Sequence, residues 1–363
     1  MDIMRARRGA GMAAGAKLAI VGLVVALLLS VAAPAFAAVT VNGAGATFPY
    51  PIYSKWAKSY YAKTGVKVNY QPIGSGGGIS AIKAGTVLFG GTDAPLTSSE
   101  LSSAKLVQFP TVVGGVVVIV NIAGVGSGKL KLTGPVLAQI FLGKITKWNH
   151  SAIKSLNPGL PLPSSTINVV HRSDSSGTTW IYTHYLSAVS SEWKSRVGAD
   201  KSVRWPKGVG AKGNEGVASA VQRTRNSIGY VEYAYAKQAR IPYTQLKNKA
   251  GRWVLPTLSS FAAAASQASW SASNGFYTLL VNMKGSSTWP IVGATFVLVR
   301  KEMPSDKYEA AKAMFKFFNW CYTNTSARSM ATQLQYVNLP SSAITKIKTV
   351  WHNQVRAGGK VVW

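Results

Sequence analysis

The chain has 363 residues, 40 Lys plus Arg against 11 Asp plus Glu, a formal net charge of +29 and a single cysteine. One cysteine excludes an internal disulfide framework, so packing has to hold the fold, and the length suffices for two compact domains with real cores. The basic residues are scattered, without a dense run or an aromatic-interleaved motif, which argues against a nucleic-acid role despite the charge.

Arg5, Arg7, Arg8 and Lys17 form a basic start, Leu18 to Ala33 is an almost unbroken apolar run, and "APAFA" ends at Ala37. This is the three-part pattern of a secretory signal peptide over residues 1–37, with an apolar run too short for a membrane anchor. Its removal leaves 36 Lys plus Arg against 10 Asp plus Glu, or +26. No cysteine stands directly after the cleavage point, so a free periplasmic protein is expected rather than a lipid-anchored one. The imbalance comes more from missing acids than from surplus bases. So few carboxylates blunt repulsive acid unfolding, which suits acid surroundings; a chance basic surface is the plainer alternative.

From residue 38 onward, strands and helices alternate. Residues 50–65 predict a helix with Ile52, Trp56, Tyr60 and Lys63 on one face and Gly65 as its stop. "VKVNYQ" (66–71) alternates as a strand, a Gly-rich bend follows, and "ISAIKAG" reads as a short helix. "TVVGGVVVIVNI" (111–122) is the β-branched run of a buried strand. Residues 136–143 predict a helix, 166–171 a strand, and "TTWIYTHYLSAV" a helix with Ile181, Tyr185 and Ala188 in phase. Late in the chain, 294–299 predicts a strand, then a helix with Ala310, Met314, Phe317 and Cys321 inward. Pro-rich 157–163 reads as a surface connection. The class is α/β.

Three small-residue loops stand where a strand gives way to a helix: "GAGATFP" (43–49), "GSGGG" (74–78) and "RSDSSGTT" (172–179). A helix start leaves N–H groups unpaired and carries partial positive charge, so each loop is a potential anion seat. For any one loop an ordinary cap or turn is the better explanation of the residues. Three of them, with the Arg172 fork suited to a tetrahedral oxyanion, point to a site. Asp93 in "FGGTDAP" sharpens it. An ionised carboxylate only accepts hydrogen bonds, so beside an anion it selects a ligand that carries a proton, as phosphate does and sulfate does not. The other reading is that Asp93 caps a turn before Pro95. Asp174 either holds the Arg172 guanidinium in place or forms an ordinary surface pair.

"GAGATFPYPIYSKWA", "YQPIGSGGGISAI", "FGGTDAPL", "FPTVVGGVVVIVNIAG", "FLGKITKWN", "HRSDSSGTT", "GNEGVASAVQ" and "IGYVEYAYAKQ" resemble, in order and over essentially the whole mature chain, the periplasmic phosphate-binding proteins of phosphate-specific ABC transporters. The resemblance implies a type II periplasmic-binding-protein fold, two α/β lobes joined by hinge strands that close over one ion. The lobes would comprise 38–119 with 292–363, and 120–291. It implies phosphate ligands Thr47, Phe48 (through its backbone N–H), Ser75, Asp93, Arg172, Ser176, Gly177 and Thr178, with Asp174 as the partner of Arg172. It implies inorganic phosphate as cargo, ABC transporter permease subunits of the inner membrane as partner, a monomer, and no metal or cofactor. Ser175 stands where the family often has Gly, and His171, where Arg is commoner, can add pH dependence.

The enzymatic alternative is a secreted phosphate-ester hydrolase of the same fold. No G-x-S-x-G elbow exists, and His150, His171, His184 and His352 lack metal-ligand spacing. "AGVGSGKL" (123–130) has Ala123 and Leu130 where a nucleotide loop needs Gly and Ser or Thr. A carrier, not an enzyme, is expected. A polyanion-binding surface protein is the second rival, marked by affinity that collapses with salt.

Overall fold

The structure is a computed structural model describing residues 39–363; the secretory segment read at 1–37 lies outside the described residues. Strand β1 (Thr40–Gly45) leads to helix α1 (Tyr50–Thr64), β2 (Lys67–Pro72), α2 (Ser75–Ala84) and β3 (Phe89–Thr92). The long β4 (Leu106–Asn121) precedes β5 (Asn168–Arg172), α3 (Gly177–Val189), β6 (Val209–Ala211) and α4 (Gly213–Arg223). Then come β7 (Ser227–Glu232), α5 (Tyr233–Gln238), β8 (Ile291–Arg300) and α6 (Tyr308–Thr323).

The main sheet runs β2-β1-β3-β8-β4-β7-β5-β6, with Leu280–Val281 added on β8 and Val337–Asn338 on β4. β1 is parallel to β2 and β3, whereas β8 is antiparallel to β3 and β4. Strand β4 changes partner along its length: Leu106–Gly115 pair with β8, and Val116–Asn121 pair with β7. Two α/β lobes therefore share one continuous strand. Every residue of β4 except Asn121 is buried, which is why it reads as an unbroken apolar run rather than an alternating one.

Helix α1 stops where Gly65 adopts φ 74°, its N–H reaching the Tyr61 carbonyl at 2.8 Å. Tyr53 joins Ile52, Trp56 and Tyr60 on the buried face, while Lys63, read as part of that face, is exposed; its charge keeps it in water. Ala188 is likewise exposed, near the C-terminal end of α3, and Ala310 is half-buried where α6 begins. Met314, Phe317 and Cys321 are buried as expected, beside Phe315, Phe318 and Tyr322. The "GSGGG" run is not a bend: Ser75 already opens α2, and the glycines form its first turns. Edge-to-face rings close the core around α6, with Phe318 5.2 Å from Phe89 and 5.6 Å from Phe109.

Candidate functional site

All three small-residue loops sit at helix starts. Thr47 and Phe48 immediately precede α1, Ser75 is the first residue of α2, and Ser176 caps α3, its Oγ accepting the Thr179 N–H at 3.0 Å. Gly177 and Thr178 open α3, Arg172 ends β5 and Asp93 follows β3. The side chains of Thr47, Ser75, Asp93, Arg172, Ser176 and Thr178 are buried, with Asp93 1% and Arg172 3% exposed.

Hydrogen bonds draw the loops together. Ser75 Oγ accepts the N–H of Asp93 at 3.2 Å and that of Gly177 at 3.0 Å, which leaves its own proton free to donate. The Gly177 N–H, assigned by resemblance to the anion, is given to Ser75 here. Gly177 has no room for a side chain: a Cβ would lie 2.5 Å from Asp93 Oδ2 and 2.5 Å from Ser75 Oγ. The Gly76 N–H reaches the Ser175 carbonyl at 3.0 Å, closing α2 on the turn before α3.

Arg172 donates from Nε and Nη2 to the two carboxylate oxygens of Asp174, at 2.7 and 2.6 Å. Gly213 N–H adds a third bond to Asp174 at 3.0 Å. Burial pushes the Asp174 pKa up, but the Arg172 hydrogen bonds and charge, with the Gly213 N–H, outweigh it and hold the carboxyl below its ordinary value. Nη1 of Arg172 is buried and has no hydrogen-bond partner among the described residues. This pair is part-buried and bidentate rather than a loose surface contact.

Asp93 does not hold the turn before Pro95. Thr92 does, its hydroxyl donating to the Ala94 carbonyl at 2.8 Å and accepting the Ala94 N–H at 3.1 Å. Both carboxylate oxygens of Asp93 are buried and lack a well-aligned hydrogen bond. Burial pushes its pKa up to about 7, against the pull of the Thr295 hydroxyl and of the Arg172 charge. Asp93 is therefore a pure acceptor only above neutrality, a qualification the sequence did not show.

His171 stacks on Trp205, ring centroids 4.8 Å apart, with Nδ1 3.0 Å from the Arg172 carbonyl; burial lowers its pKa.

Sequence reasoning missed a ring of supporting residues. Asn214, at the start of α4, donates from Nδ2 to Thr47 Oγ1 at 2.8 Å and to Thr178 Oγ1 at 3.1 Å, joining the first and third loops. Tyr235 donates to the Thr47 carbonyl at 2.6 Å. The Tyr336 hydroxyl lies 2.7 Å from the Phe48 carbonyl and 2.7 Å from Glu232 Oε2. The signal available for Glu232 was its chemistry: a rare acid closing the apolar "SIGYV", in a strand buried throughout. Tyr336, far along the chain, had none.

A family model described as a PBP superfamily domain matches residues 30–325. The phosphate-binding protein PstS of Xylella fastidiosa is 53% identical over 320 residues, 88% of this chain and 86% of that one. The phosphate-binding protein PstS of Pasteurella multocida is 50% identical over 342 residues, covering 94% of this chain and 98% of its own. A solved structure, the ancestral soluble variant of the human phosphate binding protein, aligns with a TM-score of 0.69 at 22% identity, over 89% of this chain and 96% of that one. At that identity the likeness speaks for the fold, the two-lobed binding-protein fold described above, while the first two relatives speak for descent. By that measure the chain belongs to the PstS family of phosphate-binding proteins.

Proposed function

We propose that the mature chain is a periplasmic carrier that captures inorganic phosphate between its lobes and delivers it to the permease of an ABC transporter in the inner membrane. The observation that carries this reading is the pairing of opposite, unpartnered groups in one buried cleft. Arg172 Nη1 offers a charged donor, Asp93 offers two acceptors, and Thr47, Ser75, Ser176 and Thr178 supply hydroxyls around them. A protonated tetrahedral oxyanion satisfies both kinds of group; a fully deprotonated one leaves the carboxylate facing oxygen.

In this reading the lobes are 38–119 with 292–363, and 120–291. The hand-over of β4 from β8 to β7 supports a crossing close to that boundary. The Phe48 N–H belongs to the first lobe, as do Thr47, Ser75 and Asp93, while Arg172, Ser176, Gly177 and Thr178 belong to the second. The Ser75–Gly177 and Asn214–Thr47 bonds then run from lobe to lobe and hold the cleft shut. Closure excludes water, which strengthens each charged hydrogen bond to the ion. Asp174 fixes the guanidinium plane in advance, so little ordering is left to the binding step. The carrier works as a monomer, holds its cargo without turning it over, and has no nucleic-acid partner.

Calorimetric titration with phosphate and with sulfate, at pH 6 and pH 8, tests the reading. Tight, weakly salt-dependent phosphate binding with poor sulfate binding is expected. Affinity that collapses with salt favours a polyanion surface instead. Turnover of a chromogenic phosphate ester that disappears on replacing a cleft residue favours the hydrolase.

A further inference from the structure

Tyr336 has one hydroxyl proton and two oxygens competing for it. The Phe48 carbonyl and Glu232 Oε2 each lie 2.7 Å from its oxygen. Both are ordinary O–H···O lengths, and each needs a proton between its two oxygens. The tyrosine supplies one of them. We infer that Glu232 is held as a neutral carboxylic acid that donates to Tyr336 while Tyr336 donates to the Phe48 carbonyl, a two-step relay that fixes the Phe48 backbone for the anion. This inference rests on the reading of the cleft given above, and it makes Glu232 a positioning residue.

The surroundings of Glu232 favour the neutral form. The side chain is fully buried, and Oε1 has no hydrogen-bond partner among the described residues. An ionised carboxylate with one oxygen orphaned away from water is far costlier than a neutral acid with an unpaired carbonyl. Oε2 also accepts the Ala234 N–H at 3.0 Å, which a carboxyl hydroxyl oxygen can do while donating onward. The groups facing Glu232 are Tyr336 near the C-terminus, Tyr233 and Tyr235 on the following helix α5 and the like-charged Asp93 after β3; burial, the largest influence, pushes its pKa well above the ordinary value.

The geometry explains what the relay is for. In a trans peptide the carbonyl and the N–H point in opposite directions. Tyr235 holds the Thr47 carbonyl at 2.6 Å and so aims the Phe48 N–H, on the same peptide unit, the other way. Tyr336 holds the next carbonyl, that of Phe48 itself. Glu232 and Tyr235 come from one lobe of the proposed division, and Thr47, Phe48 and Tyr336 from the other, so the grip is completed only when the lobes meet. A neutral Glu232 also keeps a second negative charge away from the anion.

The test is a difference infrared spectrum, wild type minus Glu232→Gln, at pH 8, recorded with saturating inorganic phosphate, which closes the lobes, and without it. A protonated-carboxyl C=O band belonging to Glu232 is expected. Calorimetry with inorganic phosphate accompanies it: Tyr336→Phe, which strips the donor from the Phe48 carbonyl, weakens binding about tenfold or more. Glu232→Gln, whose amide can still donate to Tyr336, recovers much of the affinity that Glu232→Ala loses, and shares the wild-type pH profile between pH 6 and 8. Absence of the band, or a titration step in the wild type that Glu232→Gln removes, overturns the inference. Failure of the wild type to bind phosphate would sink the reading of the cleft, while the infrared result on Glu232 would stand by itself.

Discussion

Asp174 grips Arg172 by both Nε and Nη2, at 2.7 and 2.6 Å, and leaves Nη1 as the one guanidinium nitrogen with no hydrogen-bond partner among the described residues. In the proposed cleft the two residues thus divide the labour, one binding and the other aiming. Arg172→Ala is expected to weaken phosphate binding by about a hundredfold or more, because a charge-assisted donor is lost from a dry cleft. Asp174→Ala keeps the charge but frees the guanidinium to rotate, and a loss of about tenfold is expected. Calorimetry on both variants decides the matter; an Arg172→Ala protein that binds like wild type removes the residue from the cleft's chemistry.

In the proposed cleft, Asp93 is the group that selects which oxyanion is accepted. Asp93→Asn replaces a pure acceptor with a group that can also donate, so phosphate-over-sulfate discrimination should relax. In the wild type, discrimination should sharpen as pH rises through about 7, where the carboxyl loses its own proton. Competition titrations at pH 6 and pH 8 measure both effects, and a selectivity independent of pH and of this substitution contradicts the role.

Stability should run the opposite way with pH from that of most globular proteins. The Asp93 pKa is raised by burial from 3.8 to about 7, and Glu232 is raised likewise. A raised carboxyl favours the folded state below its unfolded pKa, and that contribution is lost as pH climbs through the folded value. Asp174, held low, acts in reverse and weakens the fold only when pH falls below the ordinary carboxylate range, while His171 and His184, held low by burial, offset part of the gain as pH falls through 6.5. Thermal unfolding in phosphate-free buffer should therefore show a higher Tm at pH 5 than at pH 7.5, and Asp93→Asn should flatten the difference. Unfolding on mild acidification, followed by circular dichroism, would count against this and against the acid-tolerance reading of the sparse carboxylates.

Gly177→Ala tests how tightly the cleft closes. The added methyl would meet Asp93 Oδ2 and Ser75 Oγ, both at 2.5 Å. It has to break the Ser75–Gly177 bond or displace Asp93, so affinity should fall by about tenfold or more while Tm changes little if the open form tolerates the methyl. Unchanged affinity would show that Ser75 and Gly177 separate when the ion binds.

Much of this was legible in the chain. Apolar β4, the Gly65 stop and the three helix-start loops all follow from local chemistry, which sequence displays directly. The inward face of α1 was misjudged at Lys63 because period alone cannot tell a buried phase from a charged residue that stays in solvent. The "GSGGG" run looked like a bend because glycine disfavours helix, yet a Cβ on Gly76 would collide with the Ser175 side chain and one on Gly78 would lie 2.6 Å from the Gly91 carbonyl, so α2 packs where side chains do not fit. Asn214, Tyr235 and Tyr336 escaped because their partners in the first loop, Thr47 and Phe48, lie more than 150 residues away, and nothing local announces a bond across such a distance. The raised pKa of Asp93 escaped for the same reason, being a property of enclosure.

Because a single unbroken strand, β4, is laddered to β8 over one half and to β7 over the other, the two bodies cannot slide past each other without stripping backbone hydrogen bonds. Twist and flexure about that strand are the motions that leave both ladders intact. Such a pivot returns the jaws to the same register at every stroke, so the accuracy with which the ion is weighed is stored in the backbone itself rather than relearned at each capture.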